Sequence, residues 1–264
     1  MFKICNLKLI IYNYCYRHFT WELFKTKEAS SADLHISVHT HLTRQYGIDI
    51  LPPQPGSAVL KSSNALLSAN EDWSEAGITL LDGKDEGVEG ALIAAIMTHL
   101  SVRGGLMAHA SLIDVQGNGI LFLGPSGIGK TTQAKLWRKY RDAVIINGDM
   151  ALVRLDGEEY TGYGCPWHGS SSYCENRQVP LRGIVVLEQA MENTIIKLCG
   201  MSIVERVIPN IFLPNWYARG VEGVLETMDG LLSCVPVYLL RCRPEEEAVA
   251  LVQKVLSEEG CSFA

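Results

Sequence analysis

The sequence lacks runs of basic residues, and its acidic side chains outnumber its basic ones. Lys and Arg total 23, against 29 for Asp and Glu, which gives a formal net charge of −6 over 264 residues. Proteins that bind nucleic acids or anionic membranes usually carry a basic patch or stripe. The composition therefore disfavours both kinds of partner.

No stretch is apolar for long enough to cross a membrane or to direct secretion. The most apolar segment near the start, 4–16, is interrupted by Asn6, Lys8 and Asn13, and no small-residue cleavage site follows it. The eight cysteines include no Cys-x-x-Cys pair, and a chain of this length needs no disulfides to fold. Reduced thiols in a cytoplasmic protein are the simplest interpretation.

The sequence has ample material for a folded core, with 47% hydrophobic residues. Its length predicts one or two domains. Residues 1–85 are interpreted as a small strand-rich N-terminal region, with strands at 2–16 and 34–38 and a proline-rich break at 51–56. Residues 86–264 are interpreted as a second domain.

The second domain alternates strand and helix patterns from residue 88 onward. Predicted helices cover 88–102, 132–141, about 216–233 and 245–258, and predicted strands cover 110–115, 120–123, 144–146, 151–155, 184–187, 194–198 and 237–240. Hairpins are frequent and crossover helices are few. This mixture favours an α/β fold with a mixed sheet over a doubly wound parallel sheet.

Residues 124–131 match the phosphate-binding pattern Gly-x-x-x-x-Gly-Lys-Ser/Thr in full. Glycines let backbone N–H groups point at phosphates, and the following helix presents its positive end. We expect Lys130 to reach the β- and γ-phosphates of ATP, and the Thr131 hydroxyl to ligate Mg²⁺. The alternative is a glycine-rich turn with a solvated lysine. The predicted nucleotide-binding residues are Gly124, Pro125, Ser126, Gly127, Ile128, Gly129, Lys130, Thr131 and Thr132.

A carboxylate is expected at the end of a neighbouring strand, where it positions the metal or accepts a proton. Asp149 meets this expectation because it follows the apolar strand 144–146. The alternative is that 147–149 is only a turn between two strands.

The segment from His109 to Thr131 resembles the catalytic domain of HPr kinase/phosphorylase and its relatives, whose fold is similar to the nucleotide-binding core of ATP-dependent phosphoenolpyruvate carboxykinase. Residues 180–187 look like that family's Arg-Gly strand. Residues 164–169 and 187–190, with Asn193, look more like a shorter subgroup found in gene clusters for modified peptides, including lasso-peptide kinases. The resemblance covers about 88–255 and implies phosphorylation of a serine of a peptide.

Several residues take expected roles from this resemblance. The family usually has two adjacent aspartates where this chain has Gly148 and Asp149, so Asp149 is left as metal ligand and proton acceptor. His109 is expected near the phosphates or in a proton relay. Arg182 is expected either to contact the transferring phosphate or to form a structural ion pair.

Five further side chains invite weaker interpretations. Cys165, His168 and Cys174 suggest zinc, but their spacing is poor and a fourth ligand is missing. Trp167 and Tyr163 either line the binding pocket or, by default, pack in the core.

The predicted protein is thus an α/β protein with an HPr-kinase/phosphoenolpyruvate-carboxykinase-like P-loop core and a strand-rich N-terminal region. Its expected reaction transfers the γ-phosphoryl group of ATP, with Mg²⁺, to a serine hydroxyl. The predicted catalytic residues are Asp149, His109, Lys130 and Arg182. The alternatives are a nucleotide-responsive binding protein without catalysis and a kinase of a small metabolite. The expected partners are a nucleotide and a peptide or small protein, and an oligomer is compatible with the sequence.

Overall fold

The computed structural model describes residues 1–14, 19–27, 31–39, 43–45, 48–50, 58–81 and 84–262. The chain forms two compact units, one of residues 1–103 with 214–221 and the other of residues 104–213 with 222–264. The predicted break at 51–56 and the end of the first predicted strand, at Cys15 and Tyr16, lie outside the described residues.

The first unit contains eight strands in its described residues and a 3₁₀ helix at Phe19–Phe24. The strands are β1 Phe2–Ile4, β2 Leu7–Tyr12, β3 Leu34–His39, β4 Thr43–Gln45, β5 Ile48–Ile50, β6 Ala58–Ser62, β7 Ala65–Ala69 and β8 Glu75–Leu80. Six of them form a mixed sheet in the order β1-β2-β3-β8-β7-β6. The pairs β2–β3 and β3–β8 are parallel, and the other neighbours in this sheet are antiparallel. The short strands β4 and β5 pair with each other.

The single strand predicted over 2–16 is wrong, because β1 and β2 form a tight hairpin. Cys5 and Asn6 connect them, and both have positive φ, 53° and 57°. Two consecutive left-handed residues define the hairpin turn whose twist matches its flanking strands. The alternating apolar pattern continues through Cys5 and Asn6, so the turn could not be recognised from the pattern.

Helix α1, Val88–Ser101, agrees with the helix predicted over 88–102 and packs against β6, β7 and β8. It begins after Gly87, whose φ is 92°, and a Cβ there would lie 1.9 Å from the carbonyl oxygen of Ser62. Because α1 packs on strands of the first unit, the units divide after Arg103 rather than after residue 85. The helix pattern by itself did not show which sheet would cover its apolar face.

The second unit contains the remaining strands and helices. Its strands are β9 Gly105–Val115, β10 Asn118–Leu123, β11 Val144–Asn147, β12 Met150–Asp156, β13 Glu159–Tyr163, β14 Gln178–Gln189, β15 Thr194–Lys197, β16 Ile211–Phe212 and β17 Val237–Cys242. Its helices are α2 Lys130–Arg141, α3 Met201–Val207, α4 Ala218–Cys234, whose first four residues belong to the first unit, and α5 Glu246–Glu258.

The sheet of the second unit is mixed, as the hairpins predicted. Strand β10 runs parallel to β14, and β14 runs parallel to β17, whereas β9 is antiparallel to its partners. The long strands β9 and β14 each pair with different partners along their lengths: β9 with β12 and then β10, and β14 with β13 and then β10 and β17. The α/β class of the fold is therefore present, with mixed sheets in both units.

Both faces of this sheet are buried, which explains the continuous apolar runs of its strands. In β10, Ile120 and Phe122 pack with side chains of α2 and α5, including Trp137 and Val252. Leu121 and Leu123 of β10 belong to the cluster on the other face. That cluster includes side chains of α4, among them Val224, Met228 and Leu231. Full burial of a side chain as large as Phe122 contributes about 1.5–3 kcal/mol, so this packing holds the strand ends in place.

None of the helices in the described part of the chain is both long and apolar enough to cross a membrane. The seven cysteines within the described ranges are all free of disulfide bonds.

Candidate functional site

Strand register brings the loop, Asp149 and His109 to one edge of the sheet. Strands β10 and β11 flank β9 and run in the same direction. Leu123 at the end of β10 pairs with Ala110, and the N–H of Ala110 donates to the carbonyl oxygen of Asp149 at 3.0 Å. Because His109 precedes Ala110, it lies at the same edge. Ligands of α/β sheets commonly bind beyond the carboxyl ends of the strands.

The glycine-rich loop lies between β10 and α2, in the strand–loop–helix order that the sequence predicted. Gly127 and Gly129 have φ of 78° and 118°, a region that favours glycine. The N–H of Gly124 donates to Oδ1 of Asn210 at 3.0 Å, which fixes the start of the loop. Helix α2 begins at Lys130, so the free N–H groups of its first turn lie at the loop.

Lys130 is held inside this loop and is only 6% exposed. Its Nζ donates to the carbonyl oxygens of Gly124 at 2.8 Å and Pro125 at 3.3 Å. Burial lowers the pKa of Lys130 below its ordinary value, and the negative charge of Asp149 acts in the opposite direction. The amine is therefore a desolvated cation with neutral carbonyl partners, which is a suitable environment for a phosphate.

Asp149 and His109 form a pair beside the loop, as expected from their shared edge. Nε2 of His109 donates to Oδ1 of Asp149 at 3.2 Å, and both side chains are about 30% exposed. The Asp149 backbone N–H also donates to Oδ1 of Asn147 at 3.0 Å. The carboxylate is thus oriented by a histidine while remaining accessible from solvent.

Gly148 occupies the position where the resemblance would place a second aspartate, and the space beside it is filled. A Cβ on Gly148 would lie 2.1 Å from Oγ and 2.6 Å from Cβ of Ser171. The carbonyl oxygen of Gly148 accepts hydrogen bonds from the hydroxyls of Ser111 at 2.7 Å and Thr131 at 2.9 Å. The buried Ser171 Oγ has no hydrogen-bond partner among the described residues. Ser171 therefore fills the space in which a side chain at position 148 would lie.

The segment between β13 and β14, residues 164–177, packs against the end of β11. Nδ2 of Asn147 donates to the carbonyl oxygens of Cys165 at 3.1 Å and Trp167 at 2.8 Å. A Cβ on Gly169, whose φ is 56°, would lie 2.3 Å from Oδ2 of Asp149. The backbone of the 164–177 segment thus lies directly against the Asp149 carboxylate.

The two thiols of this segment are bound to backbone oxygens. Sγ of Cys165 donates to Trp167 O at 3.3 Å, and Sγ of Cys174 donates to Cys165 O at 3.2 Å. Burial raises the pKa of Cys165, and it raises that of Cys174 to about 11, so both remain protonated near neutral pH. In the described ranges, no group of three or more His, Cys, Asp or Glu side chains is arranged to hold a metal ion.

A cavity of about 590 Å³ adjoins the loop. The loop and the first turn of α2 form one wall, through Gly127, Ile128, Gly129, Thr132 and Gln133. The residues that end or follow β14 and β17 form the rest, namely 187–191 and 242–244. Since β10, β14 and β17 are parallel, their carboxyl ends open into this one space.

Arg182 is the predicted site residue that the structure does not bring to the loop. Its guanidinium pairs with Glu159 Oε1 at 3.0 Å. In the β10–β14 register, Arg182 lies beside Gly119, at the opposite end of β10 from the loop. The phosphate-contacting role expected for Arg182 is therefore corrected to the structural ion pair that was the alternative.

Trp167 and Tyr163 are buried, as the default packing interpretation predicted. The hydroxyl of Tyr163 donates to Asp156 on the neighbouring strand β12. Neither residue belongs to the wall of the cavity.

Sequence reasoning missed Ser171, Gly169 and the cavity-lining Gln133. The departure from two adjacent aspartates at Gly148 was the available signal for Ser171, since a lost side chain leaves space that another group must fill. The contact between Gly169 and Asp149 joins residues 20 positions apart, and nothing in the local pattern indicates it.

Comparison with known proteins gives one family match. A family model described as SynChlorMet cassette protein ScmC matches residues 88–204. The matched residues include the loop, the Asp149–His109 pair and the whole of the 164–177 segment. Among curated proteins, none matches the chain.

One solved structure, the Hpr(Ser) kinase/phosphatase from Coxiella burnetii, is distantly similar. It has 12% sequence identity and a TM-score of 0.36, and the similarity covers 59% of this chain and 99% of that one.

Proposed function

We propose that this chain is an ATP-dependent kinase that transfers the γ-phosphoryl group of ATP to a hydroxyl group, on a serine of a peptide or small protein. The observation that supports it most is the common location of a desolvated Lys130 and the Asp149–His109 pair at one sheet edge. The HPr-kinase-like P-loop core rests on the sequence resemblance over 88–255.

The proposed roles follow from the positions of these groups. Loop N–H groups and Lys130 hold the β- and γ-phosphates. The acceptor oxygen attacks the γ-phosphorus, its proton passes to the Asp149 carboxylate, and the bond from phosphorus to the β–γ bridging oxygen breaks to release ADP. His109 orients the carboxylate through its Nε2–H.

Mg²⁺ is the cation that we expect with the nucleotide, and the oxygen donors at the site suit it. The Thr131 hydroxyl and the Asp149 carboxylate are the residues that would hold it. When bound, the cation would neutralise phosphate charge during transfer. Thr131 now donates to the Gly148 carbonyl oxygen, so its side chain is already oriented toward the end of β11.

We expect MgATP to stabilise the protein through Lys130. Ligand at about 100 times its dissociation constant adds about 2.7 kcal/mol to the free energy of unfolding. Thermal melts with and without MgATP measure this stabilisation in the parent and in two variants. Lys130→Ala should lose it and Lys139→Ala should retain it. Lys139 is an exposed lysine of the same helix and serves as the matched control. A melt of the parent that MgATP does not change contradicts nucleotide binding.

Asp149→Asn is expected to lower phosphoryl transfer by about 10²-fold or more while ATP still binds, because the amide cannot accept the proton. Single-turnover transfer from labelled ATP to a serine-containing peptide measures the rate. Asp142→Asn makes the same change at an exposed residue of left-handed conformation, which asparagine tolerates, and should leave transfer unchanged. Equal rates for Asp149→Asn and the parent place the base elsewhere.

A second candidate is a nucleotide-responsive binding protein without catalysis, which is favoured by the filled space at Gly148. The matched family model carries the name of a cassette protein. We therefore propose that the acceptor peptide, or the binding partner, is encoded in the same gene cassette. Two results together would support the binding-protein interpretation. MgATP raises the melting temperature of the parent protein, and the parent transfers no label to peptides of the cassette or to small metabolites.

A further inference from the structure

Hydrogen bonds join the two chain segments that line the cavity beside the loop. The N–H of Arg243 donates to Oδ1 of Asn193 at 2.8 Å, and Nδ2 of Asn193 donates to Oε1 of Glu245 at 2.5 Å. The N–H of Ala190 donates to the carbonyl oxygen of Cys242 at 3.2 Å. These bonds join the residues after β14 to those after β17, so the cavity has a preformed shape.

Gln133 on the cavity wall is only 3% exposed, yet its amide is half satisfied. Nε2 donates to Sγ of Cys242 at 3.2 Å, whereas Oε1 has no hydrogen-bond partner among the described residues. A buried acceptor without a partner destabilises the fold, so such groups usually serve a ligand or a water.

Two other polar side chains on the same wall already bond within the protein. Nε2 of Gln189 donates to the carbonyl oxygen of Ile128 at 3.4 Å, and the Arg243 guanidinium pairs with Glu245 at 2.8 Å. The wall also carries apolar groups, among them Leu187, Ala190 and Met191. What it offers a ligand is an apolar surface with one buried acceptor.

We propose that this cavity binds the nucleoside half of the nucleotide and selects adenine, with Oε1 of Gln133 accepting a hydrogen bond from the exocyclic amino group of the base. This inference rests on the proposed function, because the triphosphate on the loop is what brings the base to the cavity. Adenine supplies a planar apolar ring and an amino donor, and it carries no carbonyl oxygen that the wall must satisfy. Guanine carries a carbonyl oxygen, O6, at the ring position of that amino group, and two acceptors form no hydrogen bond with each other.

Cys242 reports occupancy of the cavity without any measurement of activity. Iodoacetamide labelling at about pH 9 is used because burial raises the pKa of the Cys242 thiol and the thiolate is the nucleophile. MgATP is expected to slow labelling of Cys242 by about tenfold or more. Magnesium tripolyphosphate binds the loop only and is expected to leave it unchanged. The exposed Cys199 and Cys234 are internal controls.

The outcomes separate the two proposals. A thermal shift with MgATP but no protection of Cys242 overturns the cavity assignment and leaves nucleotide binding intact. Absence of any shift with MgATP or tripolyphosphate overturns the proposed function. Protection by tripolyphosphate equal to that by MgATP also overturns the assignment, since the base is then not what fills the cavity.

Gln133→Met tests the contact itself, because it keeps the length of the side chain and removes the acceptor. The parent is expected to bind ATP about tenfold more tightly than inosine triphosphate, in which an oxo group replaces the amino group. In Gln133→Met this preference should disappear, while affinity for tripolyphosphate is unchanged and shows that the loop is intact. A preference retained in the variant, or an equal affinity of the parent for both nucleotides, overturns adenine selection by Gln133.

Discussion

At the residue scale, the contact between Gly148 and Ser171 leaves no room for a side chain at position 148, at the end of β11. A side chain on Gly148 meets Ser171 Cβ as well as its Oγ, so rotation of the serine hydroxyl does not relieve the overlap. Ser171 therefore occupies the space that a side chain at position 148 would need. Asp149 is left as the carboxylate at this strand end, which is why its substitution is the sharpest test of catalysis.

We predict that Gly148→Asp destabilises the protein by about 1–3 kcal/mol, as overpacking of a filled site does. Adding Ser171→Gly should recover most of this loss, because it removes both overlapping atoms. Urea unfolding of the parent, the two single variants and the double variant measures the coupling. Losses that simply add in the double variant would show that Ser171 does not fill this space.

At the element scale, the 164–177 segment acts as a support for the Asp149 carboxylate. Asn147 fixes the segment through two carbonyl oxygens, and Gly169 then lies where any Cβ would collide with the carboxylate. A glycine here is required twice, by the contact and by its positive φ.

We predict that Gly169→Ala slows phosphoryl transfer by about tenfold or more, because its methyl group displaces the carboxylate from its position. Gly157→Ala is the matched control, since Gly157 has a similar φ of 63° but no neighbouring atom within 4 Å of an added Cβ. Both variants should lose about 1 kcal/mol of stability from backbone strain. Single-turnover transfer and urea unfolding separate the effects, and equal transfer rates in the two variants would contradict the positioning role.

At the scale of the whole molecule, stability depends on pH through a buried histidine of the first unit. Nδ1 of His99 donates to the carbonyl oxygen of Trp73 at 2.7 Å, and the side chain is buried. Burial and the positive charge of Arg103 together lower the pKa of His99 to about 4, against the opposing effects of the Trp73 carbonyl oxygen and of two aspartates, Asp33 and Asp72. The folded protein therefore keeps this imidazole neutral.

We predict that the protein loses about 3 kcal/mol of stability as the pH falls from 6.5 to 4, owing to His99. Between these values the unfolded chain binds a proton that the folded protein does not, so the contribution is fully present above pH 6.5. Urea unfolding across this range measures it, with His99→Gln as the variant that retains a donor but does not titrate. An unchanged pH slope in His99→Gln would show that other groups cause the loss.

Local sequence determined much of the second unit. The strands predicted over 110–115, 120–123, 144–146 and 151–155 lie within β9, β10, β11 and β12, because strand periods and glycine-rich connections are local properties. The same reasoning placed α1, α2 and α5 within two residues of their observed bounds. It also placed Asp149 at the end of a strand beside the loop, whereas the expectation for His109 came from the family resemblance.

Tertiary structure alone decided the rest. The register between β10 and β14 places Arg182 at the end of β10 that is far from the loop. The turn at Cys5 and Asn6 divides an uninterrupted alternating pattern into two strands. Ser171 and Gly169 reach the site only because the 164–177 segment folds onto β11. These outcomes depend on which distant elements pack together, and a local pattern records which face of an element is apolar but not which partner covers it.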